Sequence, residues 1–152
     1  MRAPTTILLA HHGTPGAARA EALAFELAVP GTTTILHALV VPDFCDGMQG
    51  DDWLNNASTR DTFARHLENK LAAENAELVS ALKARCDERG LASRSLVAYG
   101  DPADCLVAMA HESRPELVVI GPPRAKGDPG YRSRVTLETL ARGLACTLLV
   151  AR

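Results

Sequence analysis

The sequence predicts an α/β fold, a five-stranded parallel sheet with helices on both faces. Three observations carry the prediction. Five short apolar runs alternate with segments whose apolar residues recur at helical spacing. Turn and capping residues stand at the changeovers. A chain of 152 residues is enough for one domain with a sizeable core and too short for two ordinary ones, so 1–152 reads as a single domain.

The elements follow in order. "TTILLAH", 5–11, is a short buried strand. Gly13 offers a turn, Thr14 a helix cap, and Pro15 suits a first helical turn. Ala20, Leu23, Ala24 and Leu27 then recur at helical spacing until Pro30-Gly31. The β-branched run 32–41 is a second strand. Residues 42–60 are irregular and acidic and hold the only tryptophan, Trp53. A long helix over about 60–88 carries Leu67, Leu71, Leu78 and Leu82 as its apolar stripe, and Gly90 closes it. "SRSLVAYG", 93–100, is a third strand. Asp101 caps the next helix, with Pro102 at its first position and Asp104 suiting the helix dipole. "ELVVIG", "VTLETLARG" and "CTLLVA" complete the chain as strand, helix and strand.

The bulk properties exclude several functions. Net charge is −2 with both signs interspersed, which gives no basic field for nucleic acid. No stretch approaches the length needed to cross a bilayer, and the first apolar run is too short for a secretory signal. The expectation is a cytoplasmic protein that binds neither membrane nor nucleic acid. Cys45, Cys86, Cys105 and Cys146 form no CxxC pair, so they read as reduced thiols packing as small hydrophobes.

Parallel α/β sheets bind ligands beyond the carboxyl ends of their strands, where strand order reverses. If the first and fourth strands are neighbours, the loops "HHGTPG" and "GPPRAKGDPGYRSR" border one crevice. The second of these, 121–134, joins a strand to a helix N-terminus, a common setting for a phosphate.

The blocks "TTILLAHHGTPGAARAEALAFELA", "TILHALVVP", "YGDPADCLVAMAHESRPELVVIGPPR" and "LARGLACTLLVAR" resemble, in order and over nearly the whole chain, those of the universal stress protein family. The resemblance implies a nucleotide-binding-type fold and a homodimer formed through the last strand. It also implies two branches. One binds ATP with a loop of pattern G-x2-G-x9-G-S/T and an acidic residue ending the first strand. The other lacks that motif. Most members have no established reaction.

Carried over by position, Gly121 fits the first glycine, and Gly127 stands where many members have glycine. Arg124, Arg134 and Val135 stand where the pattern has glycine, glycine and hydroxyl, and His12 stands where ATP-binding members have aspartate. Val41 matches the position whose backbone meets an adenine. Arginine brings a Cβ where glycine allows positive φ and close approach, so weak or absent ATP affinity is expected. Against this, Arg124, Lys126, Arg132 and Arg134 face only Asp128 in the loop, and a helix starting near Ser133 adds unpaired amides. Guanidinium groups grip phosphate without any glycine. The crevice candidates are therefore His12, Gly13, Thr14, Val41, Gly121, Arg124, Gly127, Ser133, Arg134 and Val135. The ligand is ATP or another phosphate-bearing anion, and the plain alternative is a solvated basic loop.

His11 and His12 sit beside a glycine, as in the HxGH of nucleotidylyltransferases, but Thr14 occupies the second histidine's place. Adjacent strand residues face opposite ways, so the two do not chelate one metal, and no metal site is expected. One histidine belongs in the core and one at the crevice rim. His37 packs against the sheet, and His111 lies on a wet helix face. No nucleophile, base and acid can be named together, so no catalytic residue is assigned. The leading reading is a regulatory or binding module without catalysis. A nucleotide-dependent switch holding ATP or AMP, a nucleotidyl-transferring or ATP-hydrolysing enzyme, and a protein-interaction module using Trp53 and the 42–60 segment remain as alternatives. The last strand, "CTLLVAR", reads either as buried on both faces or as an edge that pairs with its copy in a second subunit.

Overall fold

The computed structural model describes residues 2–11, 15–41, 57–122 and 137–152, with residues 15 and 57–72 described in backbone only. The elements are β1 (Thr6–Ala10), α1 (Pro15–Leu27), β2 (Thr34–Val41), α2 (Ala57–Glu88), β3 (Ala92–Tyr99), α3 (Pro102–Ser113), β4 (Leu117–Ile120), α4 (Leu137–Gly143) and β5 (Thr147–Val150). The five strands form one sheet in the order β3-β2-β1-β4-β5, and every pairing is parallel. β1 and β4 are neighbours, which meets the condition under which their two loops border one another.

Alternation along the central strands divides the core. Leu8, Leu36, Ala38, Val118 and Ile120 pack beneath α3 and α4, against Leu106, Met109 and Leu140. Ile7, Leu9, Ile35 and Val119 face the other way, onto Ala20 and Ala24 of α1 and Leu82 and Cys86 of α2. Strands buried on both faces need near-continuous apolar runs, which "TILLA" and "LVVI" supply. Each fully buried leucine or isoleucine here stabilises the fold by roughly 1.5–3 kcal/mol.

Boundaries shift by a few residues from the sequence reading. β2 begins at Thr34 because Thr32 and Thr33 belong to the turn that ends α1, where both backbone amides donate to Val29 O. The Thr33 hydroxyl also accepts from Val29 N and donates to Pro4 O, tying this turn to the chain entering β1. α2 starts at Ala57, a turn earlier than expected, and Gly90 follows it with φ +68°, a conformation glycine takes without strain. Of the expected stripe on α2, Leu82 is buried and Leu78 half-buried, while the side chains of Leu67 and Leu71 lie outside those described.

The cap on α3 is as read. Asp101 is extended (φ −67°, ψ 127°) and its Oδ2 accepts from Asp104 N at 3.0 Å. Asp101→Ala is expected to destabilise the protein by about 1 kcal/mol, a fall in Tm of roughly 2–4 °C for a chain this size. Thermal unfolding by circular dichroism measures it, and an unchanged Tm would mean that the cap contributes nothing.

β5 is an edge strand. Thr147 and Val150 are exposed, so the alternative of a strand buried on both faces does not hold for the single chain. Cys86, Cys105 and Cys146 are free thiols, and burial pushes each above the usual thiol range, so they pack rather than react. Cys45 lies outside the described residues. Among the described residues, no helix is long and apolar enough to cross a membrane.

Candidate functional site

The strand order reverses at β1. The chain steps outward from β1 to β2 and β3, then returns to the far side of β1 for β4. The carboxyl ends of β1 and β4 therefore lie side by side at the reversal, the position where such sheets usually form a ligand crevice. The N-terminus of α1 closes in from one face.

Gly121 leaves β4 against that helix. A Cβ on Gly121 would lie 2.4 Å from Gly16 O and 2.5 Å from Gly16 C, distances that backbone atoms do not tolerate. Gly16 is itself tight, since a Cβ there would come within 3.1 Å of Pro122 Cδ. Gly121 is thus required by the packing of α1 on β4, with or without a ligand. Val41 ends β2 on the other side of β1, where its carbonyl accepts from Gly100 N at 3.0 Å and continues the ladder toward β3.

Of the crevice residues expected from sequence, these two fall among those described. His12, Gly13, Thr14, Arg124, Gly127, Ser133, Arg134 and Val135 lie outside the described residues, as do Trp53 and the 42–56 segment. His111 is exposed on α3, as expected.

Beneath the crevice lies a polar cluster that sequence reasoning missed. His11, the first residue after β1, is buried, and its Nε2–H donates to Glu21 Oε2 at 3.1 Å. Glu21 is buried on α1, and Arg85 of α2 grips its carboxylate with both Nε and Nη2, the latter at 3.1 Å from Oε2. His37, on β2 and 1% exposed, donates from Nε2 to His11 O at 3.2 Å, and its ring meets that of His11 edge-on with centroids 5.7 Å apart. His37 Nδ1 is buried with no partner.

Two protonation preferences follow. Burial lowers His37 to about 4, outweighing the bond to the His11 carbonyl. Burial also lowers His11, with the Glu21 carboxylate opposing the shift and Arg85 adding to it. Both rings are neutral at pH 7, and Arg85 and Glu21 cancel. The expected division of the adjacent histidines is half visible, since His11 is the core member. A signal for Glu21 was present, because Ala17, Ala20, Glu21 and Ala24 share one buried helix face. A charge on such a face calls for a partner.

Among the described residues, no group of three or more His, Cys, Asp or Glu side chains is placed to hold a metal ion.

A five-stranded parallel sheet covered on both faces, with its strand order reversing at β1, defines an α/β domain. The model of the universal stress protein family matches residues 4–152, and the chain belongs to that family. Among solved structures, it is similar to the universal stress protein UspA from Lactobacillus plantarum, at 17% identity, TM-score 0.74, covering 100% of this chain and 99% of that one. A family member from Burkholderia pseudomallei is 24% identical with TM-score 0.68, covering 96% and 94% of the two chains. One from Arabidopsis thaliana, solved with AMP bound, is 16% identical with TM-score 0.65, covering 97% and 91%. At these identities the likeness is one of fold. No curated protein matches the sequence.

Proposed function

We propose that this chain is a non-catalytic universal stress protein module whose crevice takes a phosphate-bearing anion without the family's triphosphate grip. The observation that carries the reading is the contact between Gly121 and Gly16. Packing alone accounts for the one glycine retained from the spaced loop pattern. The positions that would hold a triphosphate carry Arg124, Arg134 and Val135. The strand order supports the site, because it brings the carboxyl ends of β1 and β4 together, and the cationic residues follow Gly121 in the sequence. Guanidinium groups there favour a compact phosphate held by side chains over one cradled by backbone. AMP, bound in the Arabidopsis relative, meets that description with its single phosphate. A nucleotide-dependent switch is then a special case of the same site.

Calorimetry on nucleotide-stripped protein with inorganic phosphate, AMP and ATP tests this. Phosphate or AMP is expected to bind, ATP to bind no more tightly than AMP, and Arg124→Ser with Arg134→Ser to weaken binding at least about tenfold. Micromolar ATP binding indifferent to those arginines would overturn the reading, as would silence from all three ligands.

The module is also proposed to act as a homodimer through β5, in the cytoplasm. The exposed edge of β5, with its outward Val150, supports pairing with a second copy. Sedimentation is expected to give a dimer at micromolar concentration, and a monomer would count against it.

A further inference from the structure

A cavity of about 310 Å³ lies at the other end of the sheet from the β1/β4 reversal, lined by Ala110, His111, Arg114, Pro115, Ala145 and Cys146. Its volume stands at the lower end of the range that small-molecule sites occupy. α3 ends at Ser113 and β4 begins at Leu117, while α4 ends at Gly143 and β5 begins at Thr147. Leu117 pairs with Thr147, so the connections 114–116 and 144–146 enter the sheet side by side at its amino end. The lining comes from α3 and these two connections, on the β4 side of β5, and is distinct from the outer edge of β5.

The cavity has an apolar floor and a donor-rich rim. Ala110 and Pro115 are buried, Ala145 offers only a methyl group, and Cys146 is half-buried. His111 and Arg114 stand one turn apart, and both are exposed. A guanidinium presents five donors in a fixed fork and binds a carboxylate through two parallel bonds, with the imidazole as a further donor beside it. None of the described lining residues is acidic, and Glu112 is not among them. Glu116 accepts from the Thr5 hydroxyl at 2.7 Å, and Glu138 pairs with Arg142 at 2.8 Å, so these neighbouring carboxylates are engaged elsewhere.

Arg114 is not what its own turn asks for. Among the described residues other than glycine, it alone has positive φ, at 49°. Glycine or asparagine takes that conformation at a helix end with less strain. The cap it makes is a backbone bond, Arg114 N to Ala110 O at 2.9 Å, which any non-proline residue could supply. The side chain is therefore free to serve the cavity rather than the helix.

We propose that this cavity binds a small carboxylate with an apolar body, its carboxylate on Arg114 and His111 and its body against Ala110, Pro115, Ala145 and Cys146. The site is separate from the crevice and selects a different chemistry, a flat anionic group with an apolar remainder in place of a phosphate.

Amide NMR on the full chain tests it, with benzoate as the carboxylate, benzamide as its neutral counterpart and inorganic phosphate as an anion without an apolar body. Benzoate at millimolar concentration is expected to shift the amides of Ala110, His111, Ala145 and Cys146 and to leave Val41 and Gly121 in place. Benzamide and phosphate should bind at these amides at least about tenfold more weakly. Arg114→Asn removes the guanidinium and suits the left-handed turn, so it should keep the Tm and lose benzoate affinity at least about tenfold. Ala145→Leu, at an exposed position, fills the space and should abolish binding with Arg114 intact. Should either variant fail to fold, the other and the comparison of benzoate with benzamide decide. Absence of shifts at these amides would overturn the site, as would equal binding of benzamide or phosphate, or benzoate affinity unchanged in a folded variant. None of these readouts involves Arg124 or Arg134, so the crevice reading stands or falls separately.

Discussion

Replacing Glu21 with alanine is expected to destabilise the protein by roughly 3 kcal/mol, seen as a fall in Tm of about 6–12 °C. The loss has two sources. Glu21 is 7% exposed, and its carboxylate meets a ring N–H of buried His11 and two donors of Arg85. Removing it takes away the carboxylate acceptor at His11 Nε2 and leaves the guanidinium without the carboxylate it grips. The Arg85 side chain is 38% exposed, so water recovers part of its solvation, and the cost stays below that of a fully buried pair. Glu21→Gln keeps the shape and one acceptor and should lose about half as much. Pairing Glu21→Leu with Arg85→Met should cost less than Glu21→Leu alone, because an apolar pair replaces an ionic one. Urea unfolding of the set checks the order. A double variant as unstable as the sum of its singles would show that the two side chains do not interact.

Gly121→Ala is the second large effect, with an expected loss of about 2–3 kcal/mol. The new methyl would stand 2.4 Å from the Gly16 carbonyl oxygen. The obstacle is backbone, so relief requires the start of α1 to move off β4. Gly16→Ala is expected to cost less, since its methyl meets the ring edge of Pro122 at 3.1 Å and a proline ring can pucker away. Thermal melts of both variants test the ranking. Equal stability of Gly121→Ala and wild type would remove the packing explanation for this glycine and return it to the ligand.

The fold was legible because each device that specifies it is local. Strand runs such as "TILLA" and "LVVI", the Asp101-Pro102 start of α3 and the Pro30-Gly31 and Gly90 stops lie within a few residues of what they control. The neighbouring of β1 and β4 was a condition that local signals do not settle, and the strand order meets it. The family resemblance made the same fold an expectation, and the match over residues 4–152 agrees with it. The polar cluster was not legible because its partners meet only in three dimensions. Glu21 and Arg85 stand 64 positions apart, and no local pattern joins them. His37 looked like an ordinary strand residue, and its hold on the His11 carbonyl needs the β1–β2 register to be known. The cationic loop was legible as charge, but charge alone does not give the pose of Arg124 or Arg134.

The proposed loss of the triphosphate grip rests on Arg124, Arg134 and Val135. The direct measurement is an ATP titration, by calorimetry, of nucleotide-free wild type beside a variant carrying Arg124→Gly, Arg134→Gly and Val135→Ser. The expected result is no micromolar ATP binding in the wild type and a gain of at least about tenfold in the variant, since glycine admits close backbone approach. Micromolar ATP binding by the wild type, weakened by those three changes, would contradict it.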